Sequence, residues 1–149
     1  MGENYSTRWN LTSLKHIKYF ESELLKKYNF KHAFFTKKIK ENELIKLQGE
    51  LHLNSNFHYL NQIHSNKVIQ INNPLNSTPE TGDCLITKRR NQSLWIYTAD
   101  CIPILIADIK TRNIAACHTG LKGLKKQIIS IAIKSLERIG SKKNDLIFA

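Results

Sequence analysis

The chain has 149 residues, of which 41% are hydrophobic and 23% charged, with a formal net charge of +11. This length suits one domain with one sizeable core, and the apolar fraction separates the chain from sequences that stay disordered. It has no run of about 18 apolar residues, its stretch from Met1 to Ser13 is polar with no apolar segment leading to a small-residue cleavage site, and its lysines are scattered with no basic-aromatic motif, so we expect a cytoplasmic protein without membrane span or nucleic-acid partner; the charge suits small anions such as phosphate.

Along the chain, Thr12 or Ser13 can cap a helix running to about Tyr28, because Ile17, Phe20, Leu24 and Tyr28 repeat at helical spacing. Ala33-Phe34-Phe35 reads as a short buried strand, Glu41 to Leu51 as a second helix, and Asn54 to Asn61 as a connection entering a strand. Beyond it the segments Val68 to Ile71, Leu85-Ile86, Leu94 to Tyr97, Ile104 to Ile106 and Ile114 to Ala116 are β-rich and separated by Asn, Pro, Gly or charge, as in a sheet. A helix from about Lys122 to Ile139 would bury Leu124, Ile128, Ile131 and Ile139, leave Lys125, Lys126 and Lys134 in water, and end at Gly140. Residues 145–149 then begin another strand pattern, so the chain reads as truncated at its C-terminus. A half-built edge there calls for a covering segment or for a homo-oligomer. The expected fold class is α/β, one domain over 1–149 with a mixed β-sheet flanked by helices.

The three cysteines, Cys84, Cys101 and Cys117, are odd in number and have no disulfide-framework spacing, so they read as thiols or metal ligands. Three segments each set a soft or nitrogen ligand beside a turn at a strand end: Asn61-Gln62-Ile63-His64, Thr98-Ala99-Asp100-Cys101 and Cys117-His118-Thr119-Gly120. Imidazole and thiolate are ligands that zinc favours, and three protein ligands with an open fourth position characterise catalytic zinc. Spacing alone leaves other readings open. Cys101 fits a buried thiol under the apolar run that follows it, His64 a surface turn residue, and His118 a capping residue ahead of the last helix.

The surrounding residues carry more. Asn61-Gln62-Ile63-His64, Thr98-Ala99-Asp100-Cys101-Ile102-Pro103 and His118-Thr119-Gly120-Leu121-Lys122-Gly123, in this order, resemble the YfiH family, also labelled laccase domain or polyphenol oxidoreductase. That family's pattern has Gln-x-His-Gly, Thr-Ala-Asp-Cys-x-Pro and His-Ala-Gly-Trp-Arg-Gly segments, the middle one fully matched here. The stretch from Lys31 to Lys37 and Gly82-Asp83-Cys84-Leu85-Ile86-Thr87 resemble two further family segments, so the likeness spans about 31–149. Ser65 stands in place of a glycine, Thr119 in place of alanine, and Leu121-Lys122 in place of Trp-Arg. The family's closing segment beyond the last helix has no counterpart in this chain.

The resemblance implies a zinc-dependent purine nucleoside phosphorylase with adenosine deaminase activity, acting on adenosine, inosine or methylthioadenosine with phosphate. It implies that His64, Cys101 and His118 hold the metal. Asp83 and Asp100 are candidates for orienting ligands or handling protons, with turn capping as their other reading. Lys122, Thr36 and Lys37 are candidate substrate-binding residues, Lys122 as a point charge without arginine's bidentate fork. Cys84 and Cys117 read as core thiols. The alternative function is a catalytically impaired family member acting as a metal-binding or accessory protein. Copper-dependent phenol oxidation ranks last, because it needs several copper sites and one His-Cys-His set supplies one.

Overall fold

The computed structural model describes residues 8–14, 17–36, 56–72 and 79–149. The helix expected over Glu41 to Leu51 lies outside them. Chain contacts divide the protein into two compact units, residues 1–52 with Ala149 and residues 53–148.

In the first unit, β1 (Trp9–Leu14) and β2 (Ile17–Ser22) pair antiparallel, with Leu11 opposite Phe20, and β3 (Phe34–Phe35) adds to the other side of β2. The helix expected from Thr12 or Ser13 to Tyr28 is therefore corrected to two strands and a short helix, α1 (Glu23–Lys27). The reason lies in the alternation that the 3.6-residue reading overlooked. Tyr19 is buried and its neighbours Lys18 and Phe20 are exposed, a period of two. Aromatic and β-branched residues such as Tyr19, Phe20 and Ile17 suit a pleated surface better than a helix. The helix starts only at Ser22, whose hydroxyl accepts from the Leu25 N–H (3.4 Å).

The second unit is built on a five-stranded mixed sheet in the order β12, β10, β11, β8, β6. These strands are β6 (Val68–Gln70), β8 (Cys84–Thr87), β10 (Ile102–Asp108), β11 (Ile114–Thr119) and β12 (Leu146–Phe148). β6 runs parallel to β8 and the other pairs are antiparallel. Two short parallel pairs lie outside it, β4 (Asn56–His58) with β9 (Gln92–Leu94) and β5 (Leu60–Asn61) with β7 (Glu80–Thr81). The terminal strand pattern is thus paired along one side, with Ala107 opposite Ile147.

Pleating sends alternate residues to opposite faces. Cys84, Ile86, Ala115 and Cys117 pack with Ile128, Ala132 and Leu136 of the last helix, whereas Leu85 joins Leu60, Ile69 and Ile71 in a second cluster. Cys84 and Cys117 are paired across β8 and β11 and wholly buried, as core thiols should be.

The helix expected over Lys122 to Ile139 is two helices, α2 (Leu121–Lys125) and α3 (Ile128–Arg138), separated by Gln127 in the left-handed region (φ +59°). The break turns Leu124 outward, 45% exposed, and the buried stripe is Ile128, Ala132 and Leu136. Two contacts hold the break in place. Asn66 Nδ2 donates to the Lys126 carbonyl (2.9 Å), and a Cβ on Gly123 would meet the Ser65 carbonyl at 3.0 Å, so α2 lies tightly on the 62–66 loop. Gly140 ends α3 at φ +107°, with the Gly140 N–H donating to the Glu137 carbonyl and Ser141 N–H to that of Leu136, a Schellman cap.

Candidate metal centre

The site is assembled around Asp83, wholly buried at the head of β8. Its Oδ1 accepts the main-chain N–H of His64 (2.9 Å) and the Nδ1–H of His118 (2.9 Å). Its Oδ2 accepts the Ser65 N–H (2.6 Å), the Ser65 hydroxyl (2.7 Å) and, more loosely, the Ile63 N–H (3.4 Å). Burial pushes the carboxyl's pKa up, but the bonds from Ser65, His118 and the His64 backbone outweigh it and hold Asp83 below the ordinary carboxylate value. An ionised carboxylate can only accept, so His118 carries its proton on Nδ1 and presents Nε2 as a lone-pair donor. The same loop contacts hold His64 at φ +58°, a conformation uncommon for a residue with a Cβ.

Cys101 arrives from the opposite side of the sheet end. The β10–β11 register places Pro103 opposite His118 and Ile102 opposite Thr119, which brings the residue before β10 level with Gly120. A Cβ on Gly120 would lie 2.8 Å from Cys101 Sγ and 3.1 Å from His64 Cδ2. The glycine therefore leaves the room in which the two side chains approach. The potential ligand atoms of His64, Cys101 and His118 all lie within 4.8 Å of one another, and the two imidazole rings meet edge to face with centroids 4.7 Å apart. Burial is graded across the cluster: His118 is buried, Cys101 intermediate and His64 exposed. Among the described residues this is the cluster of three or more His, Cys, Asp or Glu side chains that could hold a metal ion. Ligands of tetrahedral zinc sit roughly 3.3–3.8 Å apart, so modest side-chain rotation would close the three donors on one ion. Two nitrogens and a sulfur are also the donor types zinc takes.

Asp100 is exposed in the turn before Cys101 and makes no hydrogen bond among the described residues. Lys122 is exposed in the first turn of α2. Thr36 belongs to the first unit, where its hydroxyl donates to the Lys18 carbonyl (3.3 Å); Lys37 lies outside the described residues. Gln62, Ser65, Asn66 and Gly120 have structural roles that sequence reasoning did not assign. Gln62 uses its amide as a strand uses its backbone: Nε2 donates to the Tyr97 carbonyl (2.7 Å) and Oε1 accepts the Tyr97 N–H (2.8 Å). Its place two residues ahead of His64 in the Gln-x-His segment was the available signal.

Fold and site together define a mixed α/β protein with a candidate His-Cys-His metal centre at the strand ends. A family model described as multi-copper polyphenol oxidoreductase laccase matches residues 34–149, and the chain belongs to this family, that of YfiH. A purine nucleoside phosphorylase of Corynebacterium glutamicum is 37% identical over 86 residues, which cover 56% of this chain and 35% of that protein. One from Rickettsia conorii is 35% identical over 83 residues, 56% of this chain and 34% of its own length. The chain thus matches about a third of the length of these curated relatives. The fold is shared with the Bacillus licheniformis protein YfiH (TM-score 0.64, 22% identity, 72% of this chain and 44% of that one). It is shared equally with a Neisseria meningitidis protein of the DUF152 family (TM-score 0.63, 17% identity, 94% and 60%). No helix among the described residues is long and apolar enough to cross a membrane.

Proposed function

We propose that the chain carries the metal centre of a zinc-dependent purine nucleoside phosphorylase, using adenosine, inosine or methylthioadenosine with phosphate, and that the same centre deaminates adenosine. The observation that carries this reading is the convergence of His64, Cys101 and His118 on Asp83 and Gly120, joined to relatives named purine nucleoside phosphorylase. Zinc is the preferred ion over copper, because a single cluster of three donors suits Lewis-acid chemistry better than multi-copper oxidation.

Bound zinc would supply a Lewis acid and a water that ionises near neutral pH. The chain's own residues set the conditions for it. Asp83 fixes His118 in the tautomer that offers Nε2 and, through the His64 and Ser65 amides, fixes the turn that carries His64. The exposure of His64 leaves the open side of the cluster accessible to substrate. Lys122 would attract phosphate as a point charge, and Asp100, exposed and next to Cys101 in the chain, is the proposed group that receives or returns a proton. Thr36 and Lys37 are proposed substrate contacts on the strength of the family likeness.

A second reading, a metal-binding or accessory protein without turnover, is favoured by Leu121-Lys122, which offer neither a flat aromatic face nor a guanidinium fork. Incubation of the zinc-loaded protein with adenosine and phosphate separates the two. Release of adenine and inosine, lost in Cys101→Ala, supports the enzyme; stoichiometric metal without either product supports the accessory reading.

A further inference from the structure

We infer that Gln62 is a positioning residue of the metal centre, which braces the Cys101-bearing segment against the His64-bearing loop so that sulfur and imidazole meet without being pulled together by the ion. This inference rests on the proposed metal-binding role of the cluster and extends it to a residue outside the His-Cys-His set. His118 is anchored to the His64 loop by Asp83, which bonds to both. Cys101 has no such tie to Asp83. It lies four residues beyond Tyr97, in a stretch that forms no strand until β10 begins at Ile102. The two amide bonds of Gln62 to Tyr97 (2.7 and 2.8 Å) join this stretch to the loop two residues before His64.

The amide matches the Tyr97 peptide with one donor and one acceptor, so it substitutes for a strand neighbour. A carboxylate could not, since it lacks the donor. Without the brace the cysteine-bearing segment would lose the two bonds nearest Cys101 that tie it to the His64 loop, keeping the Trp95 N–H bond to the His58 carbonyl (2.9 Å) upstream and the β10–β11 pairing downstream, and the metal would have to supply more of its ordering from binding energy. Residues that orient metal ligands in this way typically change affinity by about 10–100-fold when removed.

The test uses the full chain with cobalt(II) and zinc as probes. Metal affinity is measured by chelator competition, and the intensity of the cobalt–thiolate charge-transfer band reports the sulfur bond. Gln62→Ala and Gln62→Glu are compared with wild type and with Asn113→Ala. Asn113 gives a control of similar chemistry, since its side-chain amide donates to the Ser141 hydroxyl (3.0 Å) and the Ile139 carbonyl (3.4 Å), just before β11 and at the end of that strand away from His118. We expect about tenfold or greater loss of affinity and a weakened thiolate band in both Gln62 variants, with Asn113→Ala unchanged. Equal affinity and band intensity in Gln62→Ala and wild type would overturn the inference while leaving the metal site intact. So would a matching loss in Asn113→Ala, which would mark a general effect of destabilisation. A wild type that takes up neither ion would overturn the site and the brace together.

Discussion

Replacing Gly120 by alanine tests the packing at the cluster without substituting any ligand. The glycine has φ −81° and ψ 167°, extended values that alanine adopts freely, so no backbone strain accompanies the change. Reduced freedom of the unfolded chain would even stabilise by about 0.4–1 kcal/mol. The new Cβ, however, would lie 2.8 Å from Cys101 Sγ and 3.1 Å from His64 Cδ2, so both side chains must withdraw. In the metal-free protein they can do so cheaply, because His64 is exposed and Cys101 is half-buried. Metal binding would force them back against the methyl group. Overpacking of this kind costs about 1–3 kcal/mol, and at 1.4 kcal/mol per decade that is a loss of roughly 5–150-fold in affinity. Thermal denaturation of the metal-free variant should therefore match wild type within about 1 kcal/mol while chelator competition shows the loss. A variant with wild-type affinity would refute the geometry of convergence; one that fails to fold would refute the claim that the strain is confined to the loaded site.

Asp83→Asn should weaken metal binding by about 10–100-fold and destabilise the fold, since an amide nitrogen replaces one of two acceptor oxygens that take five donors; urea melts and zinc titration read the two effects separately. Acid should destabilise through Asp108 as well. Although burial pushes its carboxyl up, the Thr111 and Lys110 amides outweigh this and hold its pKa below the ordinary value in the fold. Its contribution is therefore complete above the unfolded pKa of about 3.9 and disappears as pH falls below that through the folded value, which denaturant midpoints between pH 6 and pH 3 would show. Leu136→Ala, wholly buried in the last turn of α3, should cost about 2–5 kcal/mol with metal affinity per folded molecule unchanged. In an active preparation, Lys122→Ala should raise KM for phosphate more than it lowers kcat, and an unchanged phosphate KM would remove Lys122 from the substrate site.

The sheet of the second unit was legible because its strands are short runs of apolar β-formers bounded by turn residues, and the C-terminal glycine cap because Gly140 follows the last periodic residue. The exception is the expected strand from Leu94 to Tyr97: only Leu94 is in a strand, at the end of β9 outside the five-stranded sheet, and residues 95–97 run on without one. The His-Cys-His set was legible through the residues around it and not through its spacing. What misled was local pattern without tertiary context. Ile17, Phe20, Leu24 and Tyr28 fall at helical spacing by coincidence, while the buried apolar side chains are Tyr19 and Leu25. The break at Gln127 has no sequence signal of its own, since glutamine is a good helix former; it follows from α2 lying on the 62–66 loop, with Asn66 capping the Lys126 carbonyl. The bonds from Gln62 and Ser65 were likewise hidden, because each links positions far apart in sequence by a side chain whose type alone predicts no partner.

The central claim is that His64, Cys101 and His118 form one metal site, and the measurement that tests it most directly is the metal content of the purified protein after zinc loading and desalting. One zinc per chain in the wild type, lost in Cys101→Ala while the variant remains folded by circular dichroism, is the result expected. A wild type without stoichiometric metal, or a Cys101→Ala protein that keeps it with undiminished affinity, would contradict the account.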